Sequence, residues 1–351
     1  MILPAFAASL LRTSSRAYAA AVAARLQLEQ PAGVAVALPT AFAHPIDDQE
    51  VRLLQLAVAV QFDRPALFEH SVRWYRIAFH HRGVPANYLA QSLAAMQAVL
   101  AQELPPAATG LVAKHLHAAS AALEQAPVDQ PSALDVQAPH GRLAAQFLMA
   151  ILEGRGDDAM TLLRAALDGG ASLGAVHDHV LAPVQREAGR MWLMGEIPIA
   201  DEHYGSQVVD RALWLLHERL AAPAADAPRI TTMGVGGNLH DLGIRMVAQR
   251  LQAAGFLVNH LGTNMPANDL EWAFTDRRID LVALSATMAM HLPMLQTTVE
   301  VVRRITGGRV PILVGGEPFR LVPDLVELVG ADAAAVDAAG AVTAAQALLR
   351  R

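Results

Sequence analysis

"GVGGNLHDLG", residues 234–243, follows the apolar run "RITTM" (229–233) and precedes "IRMVAQRLQAAG" (244–255). An apolar run, a glycine-rich turn and an amphipathic stretch closed by glycine predict strand, loop and helix. Glycine-rich turns in that place usually surround a phosphate with backbone N–H groups. A bulky imidazole adds nothing to such a cradle, yet His240 stands at its tip. Two readings follow: a phosphate loop whose histidine faces solvent, or an imidazole in an open loop that ligates a metal. In the second, Asn238 and Asp241 are the candidates to accept the other ring N–H and so fix the tautomer.

The same texture repeats downstream. "FLVNHLG" (256–262), "DLVALSAT" (280–287), "VPILVGG" (310–316) and "DAAAVD" (332–337) are short, continuous apolar runs. Between and after them lie the helical patterns "ANDLEWAFTDRR" (267–278), "HLPMLQTTVEVVRRI" (291–305), "DLVELVG" (324–330) and "AGAVTAAQALLR" (339–350). Runs rich in Val, Ile and Leu that alternate with helices predict a doubly wound parallel sheet covered on both faces. Residues 228–351 are therefore expected to form a Rossmann-like α/β domain of about five strands, with its ligand at the strands' carboxyl ends.

Upstream the pattern is helical. "EQAPVDQPSALDVQAPHG" (124–141) and "AAPAADAP" (221–228) are linkers by their proline content, and they delimit residues 140–222. Four stretches there carry apolar residues at three- and four-residue spacing, which predicts an antiparallel four-helix bundle. Residues 1–125 predict a separate all-α domain, broken at "QPAGVAVALP" (30–39) and "HRGVP" (81–85) and ending near "ELPPAAT" (103–109). The fold class is thus α plus α/β.

Composition narrows the chemistry. The 351 residues carry a net charge of −6, with Lys114 as the one lysine. Residues 1–125 hold near-equal numbers of basic and acidic side chains and no basic helix suited to a groove, so no nucleic-acid partner is expected. The absence of cysteine excludes disulfides, thiolate metal sites and thioether-linked chromophores. Arg12 and Arg16 interrupt the apolar start, which predicts an amphipathic helix rather than a leader. No run of about 18 apolar residues exists, so no membrane partner is expected and the cytoplasm is the expected location.

At this point a resemblance becomes specific. Asn238-x-His240-x-x-Gly243, then Ser285-x-Thr287, then Gly315-Gly316 resembles the D-x-H-x-x-G, S-x-L/T and G-G pattern of cobalamin-binding domains. The resemblance implies that His240 is the lower cobalt ligand, in the place of the cofactor's own base. It also implies that the displaced tail runs into the sheet past Ser285, Thr287, Gly315 and Gly316. Leu239, Asp241 and Ile244 flank the ligand loop and join the implied cofactor site. The chain departs from the pattern at Asn238, where family members usually carry an acid. The amide is expected to push less electron density toward the metal and to weaken the histidine–cobalt bond.

The bundle extends the resemblance. In "MWLMGEIPIADEH" (191–203), Trp192 is followed ten residues later by Glu202-His203. This spacing resembles CarH-type light sensors, which hold adenosylcobalamin under a helical cap. It implies that Trp192 packs on the upper adenosyl group, that Glu202 contacts its ribose, and that Ile199 and His203 are upper-face neighbours. Taken alone, Trp192 reads first as an ordinary core anchor between helices; the paired Glu202-His203 at that spacing shifts the reading to the cofactor. Those sensors carry a histidine after the tryptophan, and this chain has Leu193. A light-state ligand is then water, His203 or nothing.

The expected function is a cobalamin-binding light sensor rather than an enzyme, with no catalytic residue. The alternative is the corrinoid methyl carrier of a methyltransferase system. A second candidate site lies in "SVRWYRIAFHHRGVPANYL" (71–89), where Arg73, Arg76, His80, His81 and Arg82 alternate with Trp74, Tyr75 and Phe79. Cations amid aromatics suit a planar carboxylated pigment, although a solvated helix face accounts for them as well. The layout resembles the photocobilins, which combine cobalamin with biliverdin; without cysteine the bilin would be non-covalent. A homo-oligomer or an unidentified signalling partner completes the expectation. His177 and His179 are read as surface or cap residues.

Overall fold

A computed structural model of the chain describes residues 2–29, 44–275 and 277–350, which fall into two compact units, 1–130 and 131–351. The described residues of the first unit form helices and the turns between them: α1 (Ile2–Thr13), α2 (Ser15–Glu29), α3 (Pro45–Phe62), α4 (Pro65–His80), α5 (Tyr88–Glu103) and α6 (Pro106–Glu124). The expected break at 30–39 lies outside the described residues. The expected end of the helices near "ELPPAAT" is corrected by α6, which starts there. Pro106 occupies its first turn, where a missing N–H costs nothing and a fixed φ helps. Asp63, at φ 48°, ends α3 by turning left-handed, a break that no glycine announces.

The first unit buries an unusual polar knot. Arg52 and Asp48 form an ion pair on α3 whose side chains are 0% and 1% exposed. The guanidinium lies over Tyr75 at 5.0 Å and over Phe79 at 5.7 Å. Tyr88 donates to Asp48 at 3.4 Å, and Ser92 donates to Gln49 at 2.8 Å. Burial pushes the Asp48 carboxyl up against the opposing pull of Arg52, and burial raises the Tyr75 phenol to about 12.

The second unit begins with the bundle: α7 (Gly141–Leu152), α8 (Gly156–Asp168), α9 (Leu173–Val176) continuing through a π-helical turn (His177–Leu181) into α10 (Ala182–Leu193), and α11 (Ile199–His217). Phe147, Leu163, Val180, Leu181, Val209 and Leu213 are fully buried along its axis. Each contributes about 1.5–3 kcal/mol by leaving water. Met246, from the sheet domain, is part of the same core. That shared residue explains why bundle and sheet form one compact unit despite the proline-rich segment between them.

Five strands follow: β1 (Arg229–Gly234), β2 (Leu257–His260), β3 (Leu281–Ser285), β4 (Ile312–Gly315) and β5 (Ala333–Ala335), all parallel in the order β2-β1-β3-β4-β5. The crossovers run through α12 (Leu242–Ala253), the short α13 (Leu270–Phe274), α14 (Leu292–Thr306) and α15 (Glu317–Leu321) with α16 (Leu325–Leu328), and α17 (Ala338–Leu349) follows β5. Leu281, Ala283 and Leu313 pack with Leu251 of α12 and Ala341 of α17. The alternate residues Val282, Leu284, Ile312 and Val314 are equally buried, so both faces are covered. The helix expected over 267–278 shrinks to a 3₁₀ turn at Ala267–Asp269 and the five residues of α13, because Thr275 is already extended. The chain leaves β1 for β2 on one side and takes up β3 on the other. The carboxyl ends of β1 and β3 therefore frame the crevice in which doubly wound sheets hold ligands.

Candidate cofactor site

His240 stands at that crevice. Its loop runs from the end of β1 to α12 and is held by backbone and amide contacts. Asn238, fully buried, accepts the backbone N–H of His240 on Oδ1 at 3.1 Å and donates through Nδ2 to the Ser285 carbonyl at 3.1 Å. Asn264 accepts from the Gly237 N–H at 2.8 Å and donates its own N–H to the Asn238 carbonyl at 3.0 Å. The backbone is pinned while the His240 and Leu239 side chains stay exposed. Among the described residues the His240 ring makes no hydrogen bond.

The expectation that Asn238 and Asp241 accept the His240 ring N–H is corrected. Asn238 is spent on the turn itself, an Asx arrangement that short amides favour. Asp241 faces His260 at 3.2 Å and lies 3.6 Å from Arg245. Two histidines that the sequence reading passed over therefore shape the site. His260 ends β2 and bridges Asp241 to the Thr232 hydroxyl, which is 2.9 Å from its Nδ1. His291 opens α14, with its ring centroid 6.5 Å from that of His240, and its Nδ1 accepts the Met288 N–H at 3.2 Å. Burial, then the neighbouring His240, lowers the His291 imidazole to about 4, while a hydrogen bond to the Gly237 backbone opposes them. The β1–β2 register, which pairs Thr232 with His260, was the signal that could have placed His260 at this edge. Nothing local announces His291, which lies on the next crossover.

The strand ends form a trough. The register sets Gly234 beside Ser285, Ser285 beside Gly315, and Gly315 beside Ala335, a row of small residues across four strands. Gly316, at φ 123°, closes on the β3 end so tightly that a Cβ there would stand 2.0 Å from the Ala286 carbonyl. A Cβ on Gly243 would meet nothing within 4 Å. Thr287 is half-buried at the β3 end, and Ile244 is buried behind the loop. An exposed imidazole with a free ring, a pinned loop and a floor of small residues fit a broad, flat cofactor with a tail. His240 is the group that would ligate its metal.

In the bundle, Trp192 is half-buried near the end of α10, and Ile199 is the half-exposed first residue of α11. Glu202 is mostly covered and His203 is exposed, joined by a 3.0 Å contact between Oε2 and Nδ1. Leu193 is buried in the cap. The bundle is tied to α12 by polar contacts at three α12 residues, Arg245, Gln249 and Arg250. Arg245 pairs with Asp210, His177 lies 3.0 Å from Gln249, and Arg250 pairs with Asp178 at 2.9 Å. Of the two places expected for His177, surface or cap, the structure gives the cap, where it is buried; burial lowers its imidazole to about 4, against the pull of Gln249. His179 does remain exposed, stacked at 6.3 Å on His140.

Residues 228–346 match a B12-binding-domain family model, and residues 143–216 match a second B12-binding-domain model. The chain belongs to the B12-binding-domain proteins. Among the family, the HTH-type transcriptional repressor CarH of Myxococcus xanthus is 33% identical over 144 residues, 41% of this chain and 47% of that protein. Dimethylamine corrinoid protein 3 of Methanosarcina mazei is 32% identical over 116 residues, 33% of this chain and 68% of that protein. The monomethylamine corrinoid protein of Methanosarcina barkeri shares the fold, with a TM-score of 0.51 at 21% identity over 60% of this chain and 99% of that one. The chain spans about half the length of the CarH repressor it matches. The B12-binding-domain assignment covers the bundle and the sheet.

On α4 of the first unit, the side chains considered for a bilin are engaged within that unit. Arg73 pairs with Glu69 at 3.2 Å, Arg76 donates to the Ala86 carbonyl, and Arg82 to the Ala78 carbonyl. His81 meets Asp129 at 3.1 Å, His80 is exposed, and Tyr75 and Phe79 face the buried Arg52. No helix of the described residues is long and apolar enough to cross a membrane.

Proposed function

We propose that this protein is a light sensor that holds adenosylcobalamin between its bundle and its sheet, and that it signals through a change in their contact. The observation that carries the reading is the exposed His240 imidazole on a loop pinned from behind, beside the trough of Gly234, Ser285 and Gly315. When bound, adenosylcobalamin supplies a light-labile cobalt–carbon bond. In this reading His240 would hold the cobalt, on a loop built by Asn238, Leu239 and Asp241, with Gly243 and Ile244 at the start of α12 beside it. Ser285, Thr287, Gly315 and Gly316 receive the tail. Trp192, Ile199, Glu202 and His203 would cover the upper face, with Glu202 oriented by Gln185, Ser206 and His203. Leu193 offers no nitrogen, so no second histidine ligand comes from that position.

Helix α12 suits the transmission step. It begins at the His240 loop and is joined to the bundle through Arg245, Gln249 and Arg250. A shift of the cap is therefore felt at the ligand loop, and packed interfaces of this kind have discrete arrangements. The output is assigned to a homo-oligomer contact or a protein partner in the cytoplasm, without DNA. A bilin on α4 would have to displace the Arg73–Glu69 and His81–Asp129 pairs, so biliverdin stays outside the core of the proposal.

The second reading is a methyl-carrying corrinoid protein, favoured by the similarity to the dimethylamine corrinoid protein. One experiment separates them. The purified protein is loaded with adenosylcobalamin in the dark, and its absorption spectrum is followed on illumination. A sensor changes spectrum and oligomeric state together, and His240→Ala abolishes histidine ligation. A protein that retains methylcobalamin, ignores light and is demethylated by a methyltransferase is a carrier. An unchanged spectrum in His240→Ala refutes the role of that imidazole.

A further inference from the structure

The cap contains an amide whose hydrogen-bond count does not close. Gln185 of α10 donates through Nε2 to Glu202 Oε1 at 3.1 Å and to Ser206 Oγ at 2.8 Å. Ser206 in turn donates to the same Glu202 oxygen at 3.0 Å, and His203 meets the other carboxylate oxygen at 3.0 Å. Both amide hydrogens are thereby used. The amide oxygen, Gln185 Oε1, is buried and has no partner among the described residues. Its orientation is not free to invert. A carboxylate oxygen can only accept, so the NH₂ group must face Glu202.

What the cluster can still take up is therefore one-sided. Gln185 Oε1 has two open lone pairs, the carboxylate has further lone pairs, and Ser206 Oγ has one. If His203 donates from Nδ1, its Nε2 is an acceptor as well. No donor remains. A group that settles here must bring O–H or N–H hydrogens, and a purely apolar group leaves the buried acceptor unsatisfied. Gln185 stands seven residues before Trp192 on α10, about two turns away on the same helix face. It is only half-buried as a residue, so the sealed oxygen lies under a thin cover.

We infer that Gln185 is a specificity-determining residue of the upper face: its unpartnered oxygen, clamped by Glu202 and Ser206, selects an upper ligand rich in hydrogen-bond donors, such as a ribose diol or an amino-purine, over a methyl group. This rests on the proposed adenosylcobalamin reading and names the atom that enforces it. A site built to hydrogen-bond a hydroxyl discriminates strongly against the analogue lacking it, because the site's own polar groups are then stranded.

The test is a pair of dark titrations, with adenosylcobalamin and with methylcobalamin, on the full chain and on Gln185→Met and Gln185→Glu. Methionine keeps the volume and removes both donor and acceptor, and glutamate keeps acceptors but loses the clamp on Glu202. The wild type is expected to prefer adenosylcobalamin. Gln185→Met should weaken that ligand by about tenfold or more and leave methylcobalamin nearly unchanged. Gln185→Glu should also lose preference, through repulsion of Glu202. Thermal unfolding of the corrinoid-free variants, unchanged from wild type, shows that the cap is intact. Equal weakening of both corrinoids, or an undiminished preference in Gln185→Met, overturns the inference alone. A wild type that binds both corrinoids equally, or neither, overturns the sensor reading together with it.

Discussion

Asp241 gives its carboxylate to His260, 3.2 Å away on β2, and not to the ring of His240 beside it in sequence. The partner choice makes a continuous polar line from Thr232 through His260, Asp241 and Arg245 to Asp210 on the bundle. Arg245 also stacks its guanidinium over Trp214 at 5.1 Å. The ligand loop is thereby braced from the sheet on one side and from α11 on the other.

That brace should act as a unit. Asp241→Ala is expected to cost about 1 kcal/mol of stability, because its partners are only partly shielded from water. It should lower corrinoid affinity by about tenfold, the usual effect of removing a group that orients a ligand-bearing element. His260→Ala should do the same, and the double variant should be no worse than either single one. Corrinoid titrations in a double-mutant cycle check this, and additive losses would show that the two residues act separately.

Two glycines predict opposite outcomes from the same substitution. Gly316→Ala drives a Cβ into the Ala286 carbonyl at a φ of 123°, and should cost about 2–4 kcal/mol in urea unfolding. Gly243→Ala enters open space within α12, and should gain about 0.5–1 kcal/mol from helix propensity. If the space beside Gly243 receives the corrinoid, the stabilised variant should nevertheless bind it about tenfold more weakly. Unchanged binding by Gly243→Ala would remove that helix start from the site.

The strands and the His240 loop were legible because their signals are local. Unbroken runs such as "LVALS" and "ILVG" admit little except buried parallel strands, and a glycine turn after the first of them fixes which edge carries the ligand loop. The direction of the Asn238 amide was not legible. It depends on the Ser285 carbonyl, which lies 47 residues away and is adjacent only once β1 and β3 are paired. His260 and His291 escaped for the same reason, since one reaches the site from the end of β2 and the other from the crossover after β3. Residues 267–278 misled in the other direction: their apolar spacing is helical, but the chain extends at Thr275. Gln185 gave no sign, because a glutamine in an amphipathic helix reads as solvated until its partners on α11 are known.

The buried Arg52–Asp48 pair should show strong coupling. Arg52→Met alone leaves the Asp48 carboxylate enclosed beside Tyr88, and is expected to cost about 3–5 kcal/mol. Arg52→Met with Asp48→Leu removes both charges and should recover most of that loss, since an apolar replacement of a buried pair is often near neutral. Chemical denaturation of the four proteins, followed by circular dichroism, gives the coupling energy. A double variant as unstable as the sum of the singles would mean that the pair holds α3 through packing rather than charge.

The two buried imidazoles set a pH window. His177 and His291 fall from the ordinary histidine value of 6.5 to about 4 in the folded chain, chiefly through burial. Their neutral forms are therefore native. Gln249 fixes the tautomer of His177: its own amide donates to the Leu213 carbonyl at 2.7 Å, so its oxygen faces Nε2 and receives the ring hydrogen. The other nitrogen, Nδ1, is buried without a partner among the described residues, as a neutral ring permits and a charged one would not. The unfolded chain binds protons at both histidines once the pH drops below about 6.5, whereas the folded chain resists until about 4. Stability is then complete above the upper value and is lost as the pH falls toward the lower one, by up to about 3 kcal/mol for each imidazole. Asp48, whose carboxyl is raised by burial, works in the opposite sense and moderates the total. His177→Leu should remove about one proton from the slope of unfolding free energy against pH between those limits. Urea titrations of both proteins at stepped pH measure it, and parallel curves for wild type and variant would show that His177 carries no such linkage.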